Sequence, residues 1–234
     1  MAQDERDLTG RLPPWQDGAV NPWIALSIAY AAGCVSFASI VGRCRGVDVR
    51  ALGSGNPGAT NVGRVLGPRW GALVLLLDLA KGALPVWLLS APMDGLPAAL
   101  IDPEGGVLLL AAATLGHVYP ISARFAGGKG VATMLGGCLA LEPFSALGAV
   151  LLHLLMKRAL GFVSVASLIL VWAVPALRLL VAAAGGAPAD GVAVLALLAA
   201  VVTVRHRGNL ARVRAGIEDR YDDDSPHLEP DRKP

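Results

Sequence analysis

The chain has 234 residues, of which 54% are hydrophobic and only 16% are charged. Soluble domains carry about 25% charged residues, so this composition indicates an integral membrane protein. The mean hydropathy of +0.56 agrees with that interpretation. The formal net charge of +2 lacks the strongly basic character of nucleic-acid-binding proteins, and we expect no nucleic-acid partner.

The two ends of the chain are polar. Residues 1–21 open with mixed charges rather than the basic region of a signal peptide, so we expect the first apolar segment to be retained. Residues 22–217 form the predicted membrane domain. Residues 218–234 alternate acidic, basic and proline residues without apolar periodicity, which predicts a disordered cytoplasmic tail.

Seven apolar segments between these ends are candidate membrane helices, so the predicted fold is an all-α bundle. The segments are Pro22–Val41, Trp70–Leu89, Gly106–Ser122, Val131–Leu141, Phe144–Met156, Phe162–Leu180 and Gly191–Val204. The fourth and fifth segments are short, and their sequence alone also allows one helix that runs through Pro143.

The distribution of positive charge favours seven spans. Lys and Arg in short loops collect on the cytoplasmic side of a membrane. The loops after the first, third, fifth and seventh segments are basic, and the loops between them are acidic apart from Arg178. This alternation predicts an outside N-terminus, an inside C-terminus and a tight outer turn at Pro143.

The first polar motif lies between the first two segments, at residues 53–64, and reads GSGNPGATNVGR. Glycine permits close backbone approach, the neutral side chains can donate hydrogen bonds, and Arg64 can bind a phosphate in a bidentate manner. An ordinary reverse turn would have a similar composition. As an anion site, the motif contributes Arg64 as a catalytic candidate and these substrate-binding candidates: Ser54, Asn56, Gly58, Thr60 and Asn61.

The second motif, FAGGKGVAT at residues 125–133, is a glycine-rich turn that leads directly into an apolar helix. Exposed amides at a helix start, together with a flexible Lys, suit a phosphate. The Walker A pattern needs Gly and Ser or Thr where this chain has Ala123 and Gly130, so a nucleotide site is disfavoured. A flexible basic turn remains the alternative to the predicted phosphate site, whose members are Gly127, Gly128, Lys129 and Gly130.

The third motif, RHRGNL at residues 205–210, follows the last segment. In a continuous helix His206 and Asn209 share one face, and His206 could act as a base or donate to a phosphate oxygen. A basic cluster at the lipid headgroups would explain the arginines equally well. Within the membrane, Asp78 and Lys81 are an ion pair or a functional pair, and Ser164 either reaches the same pocket or bonds to its own helix.

These motifs together resemble the PlsY-type glycerol-3-phosphate acyltransferases of bacteria. The resemblance rests on GSGNPGATN-x-x-R, D-x-x-KG-x-x-PV from Asp78, GH-x-x-P from Gly116, F-x-GGKGVAT and RH-x-x-N, in order and with compatible spacing. Two departures are GCVS at residues 33–36, where the family more often has GSIP, and the polar N-terminal extension. The resemblance covers roughly residues 22–218.

The resemblance implies a seven-helix enzyme of the bacterial inner membrane that performs the first step of phospholipid synthesis. Its reaction would transfer a fatty acyl group from acyl-phosphate to the 1-hydroxyl of glycerol 3-phosphate, giving lysophosphatidic acid and phosphate. The implied site faces the cytoplasm and needs no cofactor, metal or protein partner. Its polar groups fall on Ser54, Asn56, Thr60, Arg64, Lys129, Ser164, His206 and Asn209.

Three alternatives remain at this point. A transporter of an anionic solute would also have basic loops, although the chain shows no repeat between its halves. An acyl-enzyme on Cys44 or Ser54 lacks a sequence-evident partner base. No His has an Asp at the fifth position after it, which is the spacing of thioester-dependent acyltransferases. The three cysteines, Cys34, Cys44 and Cys138, indicate neither a disulfide nor a metal site.

Overall fold

The structure is a computed structural model that describes residues 21–90, 105–185 and 189–220. Most of the predicted N-terminal extension, an acidic outer loop that includes Asp94 and Asp102, and residues 221–234 of the predicted tail lie outside these ranges.

The described residues form ten α-helices and no strand, which confirms the all-α prediction. The helices are α1 (Pro22–Gly33), α2 (Phe37–Cys44), α3 (Ala59–Leu66), α4 (Pro68–Leu89), α5 (Gly106–Val118), α6 (Val131–Leu141), α7 (Pro143–Leu160), α8 (Val163–Ala183), α9 (Val192–Arg205) and α10 (Arg207–Arg214).

Each predicted span contains an apolar helix, but not every helix is long enough to cross a bilayer alone. Five stretches of the described chain have the necessary length and hydropathy: Pro22–Cys44, Pro68–Leu89, Gly106–Ala123, Pro143–Leu160 and Val163–Ala183. Helices α9 and α10 form a sixth candidate with a 55° bend between them. Helix α6 has 11 residues and is about 16 Å long, against a hydrocarbon core of about 30 Å. The seven-span count and the orientation therefore stay predictions.

The outer surface of the bundle is apolar. Phe144 is 88% exposed and Trp87 is 76% exposed, and many leucines are exposed as well. A soluble protein rarely leaves so much apolar surface in contact with water. The surface is accordingly the part of the protein that lipid chains would cover.

The separation of the fourth and fifth predicted segments is confirmed at the level of helices. Helix α6 ends at Leu141 and α7 begins at Pro143, which occupies the first turn where its missing amide hydrogen costs nothing. Glu142 at the turn forms a salt bridge with Arg178 of α8. This partner explains the single basic residue on the predicted outer side.

Glycines bring pairs of helices into close contact. A Cβ atom on Gly82 of α4 would lie 1.9 Å from the carbonyl oxygen of Thr133 in α6, and one on Gly136 would lie 2.0 Å from that of Leu79. Gly33 of α1 and Gly116 of α5 meet in the same way. Backbones that approach this closely are typical of helix packing in membranes. The α4–α6 contact fixes two walls of the cavity described below.

We expect the Gly82→Ala substitution to lower the thermal midpoint in detergent by about 10 °C, since a methyl group clashing with backbone costs about 3 kcal/mol. The control is Gly208→Ala in α10, where a Cβ would meet only the far end of Arg212, at 3.7 Å. Differential scanning fluorimetry of both variants checks this. Equal midpoints for the two variants would show that α4 and α6 can move apart to accept the added methyl group without loss of stability.

Candidate active site

Two cavities meet at the end of the bundle that carries the basic loops. One, of about 430 Å³, is lined by polar groups that include Arg50, Arg124, Arg205 and Arg212, and we name it the basic basin. The other, of about 610 Å³, extends between α4, α6, α7 and α8 and has apolar walls; we name it the apolar cleft. Four residues line both cavities: Ser54, Asn56, Lys129 and Asn209.

The predicted site residues converge on these cavities. The apolar cleft is lined by Ser54, Asn56, Gly58, Thr60, Asn61, Arg64, Lys129, Gly130, Ser164, His206 and Asn209. Gly127 lines the basic basin, and Gly128 lines neither cavity. Three loops that are far apart in sequence therefore line the same pair of cavities. The role of each residue stays a prediction.

The first motif is held in place by the side chain of Asn61. Its Oδ1 accepts from the Ser54 amide at 2.8 Å and from the Ser54 hydroxyl at 3.2 Å. Its Nδ2 donates to the carbonyl oxygens of Val49, at 2.8 Å, and Leu52, at 3.1 Å. Asn61 is 1% exposed and its side-chain amide is engaged within the loop, so its predicted role in binding substrate stays a prediction. Its side chain orients the loop that presents Ser54, which excludes a loosely held reverse turn.

The second motif is also held by internal contacts. The amides of Gly127 and Gly128 donate to the carbonyl oxygens of Val118, at 3.2 Å, and His117, at 3.0 Å. Both amides are therefore already paired within the protein, and the binding of a phosphate by Gly127 and Gly128 stays a prediction. A Cβ on Gly128 would lie 2.0 Å from Nε2 of His117, so the close approach explains the glycine. Of this motif, Lys129 and Gly130 reach the apolar cleft.

Two arginines hold the second motif through hydrogen bonds to its carbonyl oxygens. Arg205 donates through Nη2 to the carbonyl oxygen of Gly127 at 2.8 Å, and its guanidinium lies 5.8 Å from the ring centre of Tyr119. Arg50 donates to the carbonyl oxygen of Ala126 at 2.6 Å. The sequence placed Arg50 in a basic loop and Arg205 in the third motif, but it gave neither of them a positioning role. Their positioning role depends on tertiary contacts that no local pattern contains.

Lys129 is a half-buried cation among other charges. Burial lowers its pKa to about 8, opposed by the nearby carboxylate of Glu218 and reinforced by Arg212, Arg64 and Arg205. A cation in such a desolvated niche gains more from an anionic ligand than it would in water. This arrangement favours phosphate binding at the junction of the two cavities.

The third motif contains a bend rather than a continuous helix. Helix α9 ends at Arg205 and α10 begins at Arg207, yet His206 and Asn209 both stay buried, at 2% and 8% exposed, and both line the apolar cleft. Nδ1 of His206 lies 2.8 Å from the carbonyl oxygen of Val202. That contact assigns the Nδ1 hydrogen to the carbonyl and leaves Nε2 for the cavity.

The buried pair in α4 is confirmed as an ion pair. Nζ of Lys81 lies 2.8 Å from Oδ1 of Asp78 and donates at 2.8 Å to the carbonyl oxygen of Val35, in the break between α1 and α2. Nδ1 of His117 lies 3.8 Å from the same carboxylate oxygen. The pair thus joins the break in the first span to α5, whose His117 supports the second motif.

The predicted tail begins later than residue 218. Nδ2 of Asn209 donates to Oε1 of Glu218 at 2.6 Å, and Nε of Arg212 donates to Oε2 at 2.7 Å. Asp219 forms a salt bridge with Arg64 at 3.1 Å. The assignment of residues 218–220 to a disordered tail is therefore wrong, since these residues pack against the site. The composition of this segment favoured a tail. Composition does not show which partners a charged residue contacts in the folded protein.

Known proteins are similar to this chain in sequence and in fold. Residues 23–216 match the family model described as glycerol-3-phosphate acyltransferase. The chain belongs to the glycerol-3-phosphate acyltransferase family. It is 42% identical over 202 residues to the protein of that name from Geobacter sulfurreducens, with 86% of this chain and 98% of the relative covered. The Aquifex aeolicus relative is 37% identical over 196 residues, with 82% and 95% covered.

Solved structures support the family assignment. A crystal structure of PlsY (YgiH), an integral membrane glycerol 3-phosphate acyltransferase, in its glycerol 3-phosphate form has a TM-score of 0.73 and 33% identity. The match covers 85% of this chain and 94% of that one. The lysophosphatidic acid form has a TM-score of 0.71 with the same identity and coverage. The family resemblance drawn from the motifs is confirmed.

Proposed function

We propose that this acyltransferase takes its acyl group from acyl-phosphate and transfers it to the 1-hydroxyl of glycerol 3-phosphate. The products are lysophosphatidic acid and inorganic phosphate. The site faces the cytoplasm at the inner membrane of a bacterium. Glycerol 3-phosphate and lysophosphatidic acid are the ligands of the two similar crystal structures. The acyl-phosphate donor and the membrane orientation are our own inferences.

The observation that carries the proposal is the junction of the two cavities. Both substrates have a phosphate, and only the donor has a long alkyl chain. The apolar cleft, with walls that include Leu75, Leu135, Val150 and Leu154, suits the chain, and the basic basin suits glycerol 3-phosphate. Lys129 lies where the two compartments meet. The reacting carbonyl and hydroxyl would therefore come together beside a cation.

The chemistry needs only positioning and charge stabilisation. The 1-hydroxyl oxygen attacks the carbonyl carbon of the donor, a carbon–oxygen bond forms, and the carbon–oxygen bond to phosphate then breaks. Lys129 and Arg64 stabilise the charge on the departing phosphate. The hydroxyl proton passes either to Nε2 of His206 or to the phosphate itself. Because phosphate is already a good leaving group, no acyl-enzyme is required.

The structure gives the acyl-enzyme alternatives no support. Cys44 lines neither cavity, and the Ser54 hydroxyl is engaged by Oδ1 of Asn61 rather than by a base. Full turnover by a Cys44→Ala variant would close the thiol option.

The decisive test uses purified protein in detergent with glycerol 3-phosphate and either acyl-phosphate or acyl-CoA. We expect equal amounts of lysophosphatidic acid and phosphate from acyl-phosphate, and at least about 100-fold slower product formation from acyl-CoA. Mass spectrometry and a phosphate assay measure both products. Comparable rates with the thioester would overturn the donor assignment. Binding of glycerol 3-phosphate without turnover of either donor would instead favour the transporter alternative.

A further inference from the structure

Glu218 has a buried carboxylate, and each of its two oxygens accepts a hydrogen bond. Its side chain is 5% exposed. One oxygen accepts from Nδ2 of Asn209 at 2.6 Å, and the other accepts from Nε of Arg212 at 2.7 Å. Burial raises the pKa of this carboxyl, but the hydrogen bonds from Asn209 and Arg212 outweigh the effect of burial and hold the pKa below its ordinary value. Glu218 is therefore ionised at neutral pH.

The ionised carboxylate determines which atom of Asn209 faces the substrates. A carboxylate only accepts hydrogen bonds, so Asn209 must turn its NH₂ group toward Glu218. Its Oδ1 receives no hydrogen bond from the described residues and remains for the cavities, both of which Asn209 lines. With the carboxylate absent, the amide would be free to turn its NH₂ group toward the cavities.

An acceptor at this position distinguishes a hydroxyl from a phosphate. A phosphate dianion has no hydrogen to donate, whereas the hydroxyls of glycerol do. The buried Ser164 hydroxyl supports this interpretation, because it lies near Glu218 yet makes no hydrogen bond of good geometry, and it also lines the apolar cleft. A second polar group beside Asn209 is thus available to a ligand.

We propose that Glu218 is a positioning residue that fixes Asn209 as the hydrogen-bond acceptor for a glycerol hydroxyl. This inference rests on the proposed function. Glu218 does not itself touch the substrate, since it lines neither cavity and each of its oxygens accepts a hydrogen bond from within the protein. Its effect on the reaction passes through the orientation of the Asn209 amide, in addition to the electrostatic support that its charge gives to Lys129.

The first test is the Glu218→Gln variant in the full-length protein. We expect kcat/KM for glycerol 3-phosphate to fall about 30-fold, the size of one lost hydrogen bond to a charged group. The KM for the acyl donor should stay within about twofold of the wild-type value, because Asn209 contacts glycerol 3-phosphate rather than the donor. The matched control is Asp190→Asn, which removes a carboxylate that lines neither cavity and should change kcat/KM by about twofold or less.

The second test reverses the hydrogen bond in the double variant Asn209→Asp/Glu218→Gln. The introduced carboxylate would accept from the introduced amide and leave its other oxygen for the glycerol hydroxyl, while the total charge stays the same. We expect kcat/KM at least about fivefold above that of Glu218→Gln alone. A role limited to packing predicts no such recovery. Thermal midpoints of all variants show whether each one is folded.

Three results would overturn this inference: unchanged activity of Glu218→Gln, higher activity of that variant, or no recovery in the double variant. Higher activity would indicate that residues 218–220 obstruct the site instead. The wild-type protein separates the two hypotheses, because its turnover of acyl-phosphate tests the proposed function. The variant ratios are measured with whichever donor the wild type uses.

Discussion

Replacement of Lys129 by methionine is expected to lower kcat/KM by a factor of 10² to 10³, roughly the loss found when one preorganised donor to a developing charge is removed. Of the four described residues that line both cavities, only Lys129 carries a charge, so none of the other three can replace it as a cation. Methionine keeps most of the length of the stem and removes only the charge and its donors. Steady-state kinetics with both substrates measures the loss.

The control for this variant is Arg207→Met. Arg207 belongs to the same basic cluster, but it is exposed and lines neither cavity. Its loss should change kcat/KM by about twofold or less, since it removes only distant, screened charge. Equal losses in the two variants would mean that general positive charge, rather than contact by Lys129, attracts the substrates.

The lowered pKa of Lys129 gives the reaction a pH dependence. With a pKa of about 8, the side chain is charged below that pH and loses its proton above it. We therefore expect kcat/KM, which reports the free enzyme, to decline as pH rises through about 8. In Lys129→Arg the guanidinium stays protonated, so the decline should move to higher pH although the rate is lower. An unchanged profile would assign the decline to another group.

The sequence predicted the helices and the place of the site better than the local contacts. Long apolar runs specify membrane helices because the bilayer requires them. The acidic turn at Glu142 and Pro143 separated α6 from α7 as predicted. The polar motifs indicated a site because each lies next to an apolar segment, where polar residues are costly unless they have a function.

The direction of each side chain could not be predicted in the same way. Asn61 and Asn56 occur in one motif, yet Asn61 is bonded inside the loop and Asn56 lines both cavities. The amides of Gly127 and Gly128 are paired with carbonyls about ten positions earlier, a contact that helix geometry does not imply. Glu218 lay in a stretch with the composition of a tail. In each case the deciding partner lies six to twelve residues away, a separation that helix geometry does not specify.

The second large effect concerns stability rather than catalysis. We expect Lys81→Met to destabilise the protein by about 3–5 kcal/mol, the cost of breaking a buried ion pair and leaving one charge unpaired. Asp78 and Lys81 are 2% and 5% exposed, so water cannot replace the lost partner. The thermal midpoint in detergent should fall by about 10 °C.

The double variant Asp78→Asn/Lys81→Met separates the pair from its surroundings. Because it removes both charges, it should be more stable than Lys81→Met alone. The hydrogen bond from Lys81 to Val35 is still lost, so stability should stay below that of the wild type. Activity should fall in parallel, since the pair lies beside His117 and His117 supports the second motif. If Lys81→Met were as stable as the wild type, the pair would not hold the broken first span in place, and its position beside the apolar cleft would need a catalytic explanation.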